Sequence, residues 1–297
     1  MKIIVTGSLG HISKPLTSAL VQKGHEVTVI SSKPDKQADI EAMGAKAAIG
    51  SMEDGEFLAT VFTGADAVYT MVPPANYFDH NLNLLGYYHK IGTNYANALR
   101  HTGVKRVVNL STFGGDMEKG NGILLGAHNV EEILNELPTD VAITHVRPTS
   151  FYYNLYGYVE MIKSAGMIAA NYGADDLIPW VSPVDIAAVV AEELMTPLTG
   201  RKVRYIFSEE LTGEETAEIL GEAIGKPDLQ WIIVPDEQVQ SGLEAIGMNP
   251  QIAAGMVEMY GALHSGLLAA DFNRNKPTIS GTVKLRDFAK EFASAFK

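Results

Sequence analysis

Hydrophobic and polar positions follow two alternating spacings through the first half of the chain. Short runs of continuous apolar residues are typical of strands covered on both faces, and between them apolar residues recur at helical spacing. The predicted strands are Lys2–Thr6, Glu26–Ser31, Lys46–Ile49, Ala67–Val72, Val104–Ser111 and Val141–Arg147. The predicted helices are Ile12–Lys23, Pro34–Met43, Asp54–Phe62, Asn81–His101 and Leu124–Glu136. This alternation indicates right-handed βαβ units, so we expect an α/β fold with a doubly wound parallel sheet.

The first predicted strand turns into the first helix through Gly7 and Gly10. A strand that turns directly into a helix places free backbone N–H groups at the helix N-terminus, where they can bind a pyrophosphate. Ser13 stands where a third glycine is usual, so we expect the helix to lie slightly further from its strand. The alternative is a plain turn without a ligand. The residues expected to bind the phosphates are Gly7, Ser8, Leu9, Gly10, His11 and Ile12.

The pattern changes after Arg147. An aromatic-rich segment, residues 148–158, comes first and shorter elements follow it. Helices are predicted at Pro183–Met195, Glu214–Ile224, Glu237–Leu268 and Leu285–Phe296, and strands at Lys202–Ser208 and Gln230–Val234. We expect residues 1–150 to form a dinucleotide-binding Rossmann domain to which later segments return. Residues 151–297 should form a smaller, mostly helical α/β cap over the carboxyl edge of the sheet, where ligands bind in such folds.

Composition narrows the class of protein. The 297 residues include no cysteine, which excludes disulfides and thiolate chemistry, and the scattered histidines predict no metal site. With 35 acidic and 23 basic residues, the formal net charge is −12, so we expect no nucleic-acid partner. No uncharged apolar run approaches the ~20 residues of a membrane span. Because the first strand starts at residue 2, a leader is not expected either, and we expect a cytoplasmic protein without membrane association.

The end of the second predicted strand reads Ser31, Ser32 and Lys33, without a carboxylate. An acidic residue at this point would bind ribose hydroxyls and reject a 2′-phosphate, whereas two hydroxyls and an ammonium group suit a phosphate. We therefore favour NADP(H) over NAD(H); in the alternative, Lys33 is an ordinary solvated lysine. Further cofactor contacts are expected after the third and fourth strands, where the chain reads Gly50, Ser51 and Met52, then Val72, Pro73 and Pro74.

Candidate substrate contacts follow the fifth and sixth strands. Ser111, at the end of strand five, could hydrogen-bond a substrate carbonyl, or it could serve only as a loop cap. Thr112 follows it along the expected nicotinamide site, and Pro148 ends strand six as a further cofactor contact. Aromatic residues just beyond strand six could stack on a flat ring, although some of them should belong to the cap core. The expected substrate residues are Phe151, Tyr153, Asn154 and Trp180, with Tyr77 or Phe78 as further walls.

Several motifs resemble the NmrA-like family of atypical short-chain dehydrogenase/reductases, and the resemblance spans nearly the whole chain. They are Gly7-x-x-Gly10, Ser111, Val130-Glu131-Glu132, Arg147-Pro148-x-x-Phe151-x-x-Asn154, Ile178-Pro179-Trp180-Val181-Ser182-x-x-Asp185-Ile186-Ala187 and Leu211-Thr212-Gly213-Glu214-Glu215. The resemblance implies a dinucleotide site and leaves the chemistry open. The NmrA-like family includes NADPH-dependent quinone reductases and phenylpropanoid reductases. It also includes catalytically silent proteins that sense the NADP(H) ratio and bind protein partners.

The chain departs from the reductases at their proton donor. No tyrosine has a lysine four positions later, so the Tyr-x-x-x-Lys pair of the wider superfamily is missing. Reductases of the family often carry a lysine about three residues before the Val-Glu pair, a position that Ala127 occupies here, with His128 beside it. His128 could act as a general acid or bind the ribose, since a free histidine has a pKa of ~6.5. A structural histidine is the alternative, because one helical residue is a rotation of ~100°.

Two functions fit these observations. The first is an NADPH-dependent oxidoreductase that reduces a small molecule, a quinone or a related conjugated carbonyl, with His128 and Ser111 as catalytic candidates. The second is a non-catalytic regulator that senses NADP(H) and binds a protein partner. The aromatic segment favours the reductase, and the missing tyrosine–lysine pair favours the regulator.

Overall fold

A parallel sheet forms the centre of the molecule in the computed structural model, which describes residues 1–197 and 200–296. Within these residues the sheet has seven strands, in the order β10-β6-β5-β4-β1-β2-β3. The strands are β1 (Lys2–Val5), β2 (Glu26–Ser31), β3 (Lys46–Ile49), β4 (Ala67–Thr70), β5 (Arg106–Leu110), β6 (Ala142–Pro148) and β10 (Arg201–Ile206). Every neighbouring pair is parallel, so all carboxyl ends meet at one edge.

Helices cover both faces of this sheet, as a doubly wound fold requires. One face packs against α1 (Ser13–Gln22), α2 (Gln37–Ala42) and α7 (Pro183–Met195) in a cluster that includes Leu16 and Val190. The other face packs against α3 (Gly55–Phe62), α4 (Leu84–Thr102) and α5 (Leu125–Asn135). Because both faces are buried, the strands carry continuous rather than alternating apolar residues.

Strand β1 lies between β2 and β4, with Ile4 in register with Thr28 on one side and Val68 on the other. The chain therefore winds outward from β1 to β3 and then crosses back to β4. The gap between the two connections, at the carboxyl ends of β1 and β4, is the position where doubly wound sheets bind their ligands.

The cap is built on two small sheets and an aromatic core. The three-stranded sheet has the order β11-β9-β7 and the two-stranded sheet pairs β12 with β8. Its strands are β7 (Ser150–Phe151), β8 (Met167–Ala170), β9 (Leu177–Val181), β11 (Glu209–Thr212) and β12 (Gln230–Ile233). Its helices are α6 (Val159–Ala165), α8 (Gly213–Ile224), α9 (Asp236–Ala245), α10 (Pro250–His264), α11 (Ala269–Arg274) and α12 (Leu285–Phe292). Tyr152, Trp180 and Phe288 stack in the core.

The predicted fold class is confirmed, and the bounds of β2, β3 and α7 match the prediction. Two elements expected in the cap, α7 and β10, belong instead to the central sheet and its covering helices. The single helix predicted over Glu237–Leu268 ends at Ala245 and resumes at Pro250, because Gly247 adopts a left-handed conformation with a φ of 89°. Strand β10 pairs with β6 over a long sequence separation, which a local pattern does not reveal.

Candidate active site

A cleft of about 810 Å³ opens at the carboxyl edge of the central sheet, above β1 and β4. It brings together most of the residues that the sequence predicted for a cofactor and a substrate. These are Gly7, Ser8, Leu9, Gly10, His11, Ile12, Ser31, Ser32, Lys33, Met52, Val72, Pro73, Pro74, Ser111, Thr112, Phe151, Tyr153 and Asn154, together with Tyr77. The lining also includes residues that the sequence analysis did not predict as contacts, namely Ser13, Ile30, Lys36, Tyr69, Met71, Tyr88, Leu110, Leu124, Ala127, Val130 and Pro183.

The turn after β1 has the backbone of an anion-binding loop. Gly7 has a φ of 89°, and a Cβ at this position would lie 2.7 Å from Oγ of Ser13, so only glycine fits. The buried Ser13 hydroxyl donates to the carbonyl of Thr6 at 2.8 Å and joins the helix to the strand. Ser8 also lies in the left-handed region, with a φ of 55°, and its hydroxyl donates to Oγ of Ser31 at 2.8 Å. The two strand ends are thus fixed to each other.

Three amides of this turn remain open to a ligand. The amide of Ser8 donates to the carbonyl of Ile30, and that of Gly10 donates to Gly7. Over residues 1–197 and 200–296, no acceptor is found for the amides of Leu9, His11 and Ile12. Free N–H groups at the start of a helix bind phosphates well, so the turn fits a pyrophosphate.

Cationic side chains lie beyond β2 at the same end of the cleft. Lys33 is exposed, and Lys36 is half-buried and pairs with Asp39 at 3.2 Å. The Ser31 hydroxyl also accepts from the amide of Lys33 at 3.2 Å, so it shapes this corner. Lys36 escaped prediction because it lies in a short turn of helix, residues 34–36, that brings it back toward the cleft. In the described residues no carboxylate lines the cleft, which suits an anionic group.

Only one of the three residues predicted after β3 lines the cleft. Met52 lines it, whereas Gly50 packs so closely on Phe57 that a Cβ would lie 2.5 Å from the ring. The Ser51 hydroxyl accepts from the amide of Glu53 at 3.1 Å. Gly50 and Ser51 therefore shape the loop, and of the three residues Met52 alone remains a candidate for the expected cofactor contact.

Ser111 follows β5 directly and lines the cleft, but its hydroxyl proton is already engaged. It donates to Oε1 of Glu131, a buried residue on α5. Glu131 in turn accepts two hydrogen bonds from buried Arg147, at 2.9 Å from Nε and 2.6 Å from Nη2. Arg147 also donates to the phenol of Tyr205 at 3.2 Å. In this network Ser111 can offer a substrate its lone pairs and not its proton.

His128 does not reach the cleft. Its Nδ1 donates to the carbonyl of Gly115 at 2.9 Å and the side chain is not part of the cleft wall, while its neighbour Ala127 lines the cleft. The rotation of one helical residue thus turns the imidazole away. The structure gives His128 the structural position that was the alternative in the sequence.

The aromatic segment after β6 divides between the cleft and the cap core. Phe151, Tyr153 and Asn154 line the cleft. Trp180 lies outside it: this side chain is 1% exposed, and its Nε1 donates to Thr216 on α8 at 3.2 Å. The central strand of a small sheet leaves its side chain no open face. Pro148 is likewise a buried part of β6, and its carbonyl accepts from the amide of Phe113 at 2.9 Å.

The rest of the described surface has fewer features of a ligand-binding site. A cavity of about 830 Å³ opens at the opposite, amino edge of the sheet, lined by residues such as Asp66, Lys105 and Asp140, but it has no glycine turn and no aromatic wall. Across the described chain, no three His, Asp or Glu side chains form a metal-binding group. None of the helices in residues 1–197 and 200–296 has the length and apolar character of a membrane span.

Comparisons with known proteins agree with this geometry. The model of the NmrA-like family matches residues 1–266. An NAD(P)H azoreductase from Xenophilus azovorans is 24% identical over 297 residues, which cover 99% of each chain. The Citrobacter sp. triphenylmethane reductase complexed with NADP(H) has a TM-score of 0.79 and 19% identity, over 98% of this chain and 99% of that chain. An NADPH-dependent quinone oxidoreductase from Escherichia coli has a TM-score of 0.77 and 17% identity, over 98% and 99%.

Proposed function

Because the chain belongs to the NmrA-like family, we propose that it is an NADPH-dependent reductase that acts on a quinone or a related conjugated carbonyl compound. The family and the relatives' named activities make it an NAD(P)H-dependent oxidoreductase. The proposal adds two points to this activity, namely the preference for NADPH over NADH and the quinone class of substrate. One observation carries it: one cleft joins open amides at a glycine turn to an aromatic pocket, and no carboxylate of residues 1–197 or 200–296 lines it.

The residues at the turn would hold the phosphates of the cofactor. The open amides of Leu9, His11 and Ile12 suit the pyrophosphate, and Gly7 and Gly10 leave room for it. At the end of β2, Ser32, Lys33 and Lys36 offer a hydroxyl and two ammonium groups to a 2′-phosphate. Together they support NADP(H) over NAD(H).

The substrate would bind between the ends of β5 and β6 and the loop after β4. A bound NADPH supplies the hydride, and the protein contributes orientation and exclusion of water. Phe151 and Tyr153 provide flat surfaces for a ring, and the exposed amide of Asn154 can donate to a carbonyl oxygen. Pro73 and Pro74, in the loop after β4, line the same cleft. An electron-poor quinone can take its proton from water, so no side-chain acid is required.

A regulator without turnover is the second candidate, and one observation favours it. The two side chains that the sequence offered for proton transfer are both engaged elsewhere, Ser111 with Glu131 and His128 with Gly115. Such a protein would bind NADP(H) through the same turn and present its cap to a protein partner.

Turnover separates the two candidates. The purified protein is incubated with NADPH and a panel of quinones, and the absorbance of the reduced nicotinamide is followed. The reductase proposal predicts NADPH oxidation above the uncatalysed background, faster than with equal NADH. Tight NADPH binding by calorimetry without oxidation of any panel member would instead support the regulator. If neither nicotinamide dinucleotide binds, both candidates fail.

A further inference from the structure

Tyr77 and Tyr88 line the cleft with hydroxyl groups for which the described residues provide no partner. Tyr77 lies in the loop between β4 and α4, and Tyr88 lies in the second turn of α4. In the described parts of the chain, neither phenol donates to or accepts from another group. Both side chains are half-buried in the cleft wall.

The protein holds both rings in place from several sides. The ring of Tyr88 lies over Gly126 on α5, where an added Cβ would come within 2.6 Å of its Cγ. The backbone carbonyl of Tyr77 accepts from the amide of Asn249, just before α10, at 2.9 Å. Both rings also pack against an apolar cluster that includes Met248 and Ile252. These contacts fix the two rings and so preorganise the positions of their hydroxyls.

Burial raises the pKa of both phenols above the ordinary value of 10. At neutral pH they therefore remain protonated and can donate hydrogen bonds. Neither hydroxyl oxygen is enclosed without a partner, so both are accessible to a ligand in the cleft. An acceptor atom on a ligand would supply the hydrogen-bond partner that the described residues do not.

The surroundings define what that ligand can be. Near these phenols the wall is formed by Leu124 and by Ala127, whose methyl group offers no hydrogen bond. The cationic residues of the cleft, Lys33 and Lys36, stand at the end of β2, beside the glycine turn. No carboxylate among the described residues lines the cleft to balance a cationic ligand. An uncharged molecule with an exposed oxygen fits this part of the cleft.

We propose that Tyr77 and Tyr88 form a donor pair that binds and orients an acceptor oxygen of an uncharged, flat substrate. This inference rests on the proposed reductase function and deepens it by naming two positioning residues. A quinone fits because its two carbonyl oxygens lie at opposite ends of the ring. One oxygen can bind to the donor pair while the reacting end of the ring lies against the nicotinamide site.

The experiment compares Tyr77→Phe, Tyr88→Phe and the double variant with Tyr87→Phe. Tyr87 is the matched control: it is a half-buried phenol next to Tyr88 that is not part of the cleft wall. Menadione is the test substrate, and the binding of NADPH is the comparison. We expect the KM for menadione to rise about three- to tenfold in each single variant, and further in the double variant. The affinity for NADPH should stay unchanged.

Binding measurements keep this inference separate from the proposed function. Menadione is titrated by calorimetry into the complex of each protein with NADP⁺. If the wild type binds menadione without turning it over, the reductase proposal fails, but weaker binding by the two cleft variants still supports the donor pair. Equal KM and equal affinity in all variants overturn the donor pair. So does an equal loss of affinity for menadione and for NADPH, or a wild type that does not bind menadione.

Discussion

The imidazole of His11 stacks on the phenol ring of Tyr153, with the ring centroids 3.8 Å apart and the planes inclined by 32°. His11 belongs to the glycine turn and Tyr153 to the segment that leads into the cap. The Tyr153 hydroxyl donates to Glu291 on α12 at 3.0 Å. Burial and this carboxylate raise the pKa of Tyr153 to about 12, so the phenol stays protonated at neutral pH. The stack therefore joins the phosphate-binding turn to the cap across the cleft.

We expect Tyr153→Ala to speed the release of NADPH, because the side chain that covers the turn is lost. An aromatic pair contributes about 0.5–1.5 kcal/mol, which corresponds to a rate about two to ten times faster. Stopped-flow displacement of NADPH measures the rate directly. Tyr153→Phe keeps the ring and is the control, which should release NADPH about as fast as the wild type. Equal rates in all three proteins would show that the stack does not cover the cofactor.

Lys33→Ala should weaken the binding of NADPH much more than that of NADH, because only NADPH carries the 2′-phosphate. A hydrogen bond between charged groups contributes about 1.5–3 kcal/mol at most, and the exposure of Lys33 reduces this, so we expect a loss of roughly tenfold. Calorimetric titration of both dinucleotides gives the two affinities. Lys46→Ala, an exposed lysine paired with Glu26 at the far edge of the sheet, should change neither. An equal loss for NADPH and NADH would remove the proposed phosphate contact.

The positions that the sequence predicted well are those that follow a strand directly. In a parallel sheet all carboxyl ends meet at one edge, so the residues after β1, β2, β4 and β5 must converge whatever the helices do. The glycine turn, Lys33, Pro73 and Ser111 all line the cleft for this reason. For these residues the local sequence shows both where the strand ends and which chemical group follows it.

The positions that the sequence misjudged depend on the direction of a side chain. Ala127 and His128 are adjacent, yet only the first lines the cleft. Tyr88 faces the cleft because Gly126 on another helix makes room for its ring, a contact between residues far apart in the chain. Trp180 lies on a strand between two others, and the pattern does not reveal that this face is covered by α8. Such features arise only when the helices and small sheets have packed.

His128→Ala should leave turnover and its pH profile unchanged. The imidazole donates to the carbonyl of Gly115 and lies outside the cleft, so it has no route to a substrate proton. The loss of one hydrogen bond should lower the free energy of unfolding by about 0.5–1.5 kcal/mol. Rates measured across the titration range of histidine, with a urea unfolding curve, check both statements. A large loss of kcat that follows a single ionisation would restore the catalytic role.

His145 should make the fold less stable as the pH falls. It is 2% exposed and lies in β6, where Nδ1 accepts from Asn109 at 3.2 Å and Nε2 donates to Asn135 at 3.1 Å. These partners require the neutral ring, and burial lowers the pKa of His145. Below pH ~6.5 the unfolded chain therefore binds a proton that the folded chain resists, and stability is lost at up to about 1.4 kcal/mol per pH unit.

The test compares the wild type with His145→Gln, which keeps a donor and an acceptor but does not titrate. Urea unfolding is measured at about pH 7.5 and about pH 5.5, on either side of the unfolded pKa. The wild type should lose more stability between the two conditions than the variant. The pKa of His25 is also lowered by partial burial. Because His25 is present in both proteins, its contribution to the pH dependence of stability cancels in the comparison. Parallel losses would mean that the protonation of His145 is not coupled to folding.

Gly126→Ala should disturb both stability and substrate binding. The new Cβ would lie 2.6 Å from Cγ of Tyr88, closer than packed atoms come, so the ring or helix α5 must shift. Overpacking of this kind costs about 1–3 kcal/mol. Gly242→Ala is the matched control, since it lies within α9 with no atom inside 4 Å of the added Cβ, and it should gain about 0.5–1 kcal/mol. Because the displaced ring carries a proposed donor, the KM for menadione should rise in Gly126→Ala alone. Two alanine variants that unfold alike would show that the contact between Gly126 and Tyr88 does not fix the ring.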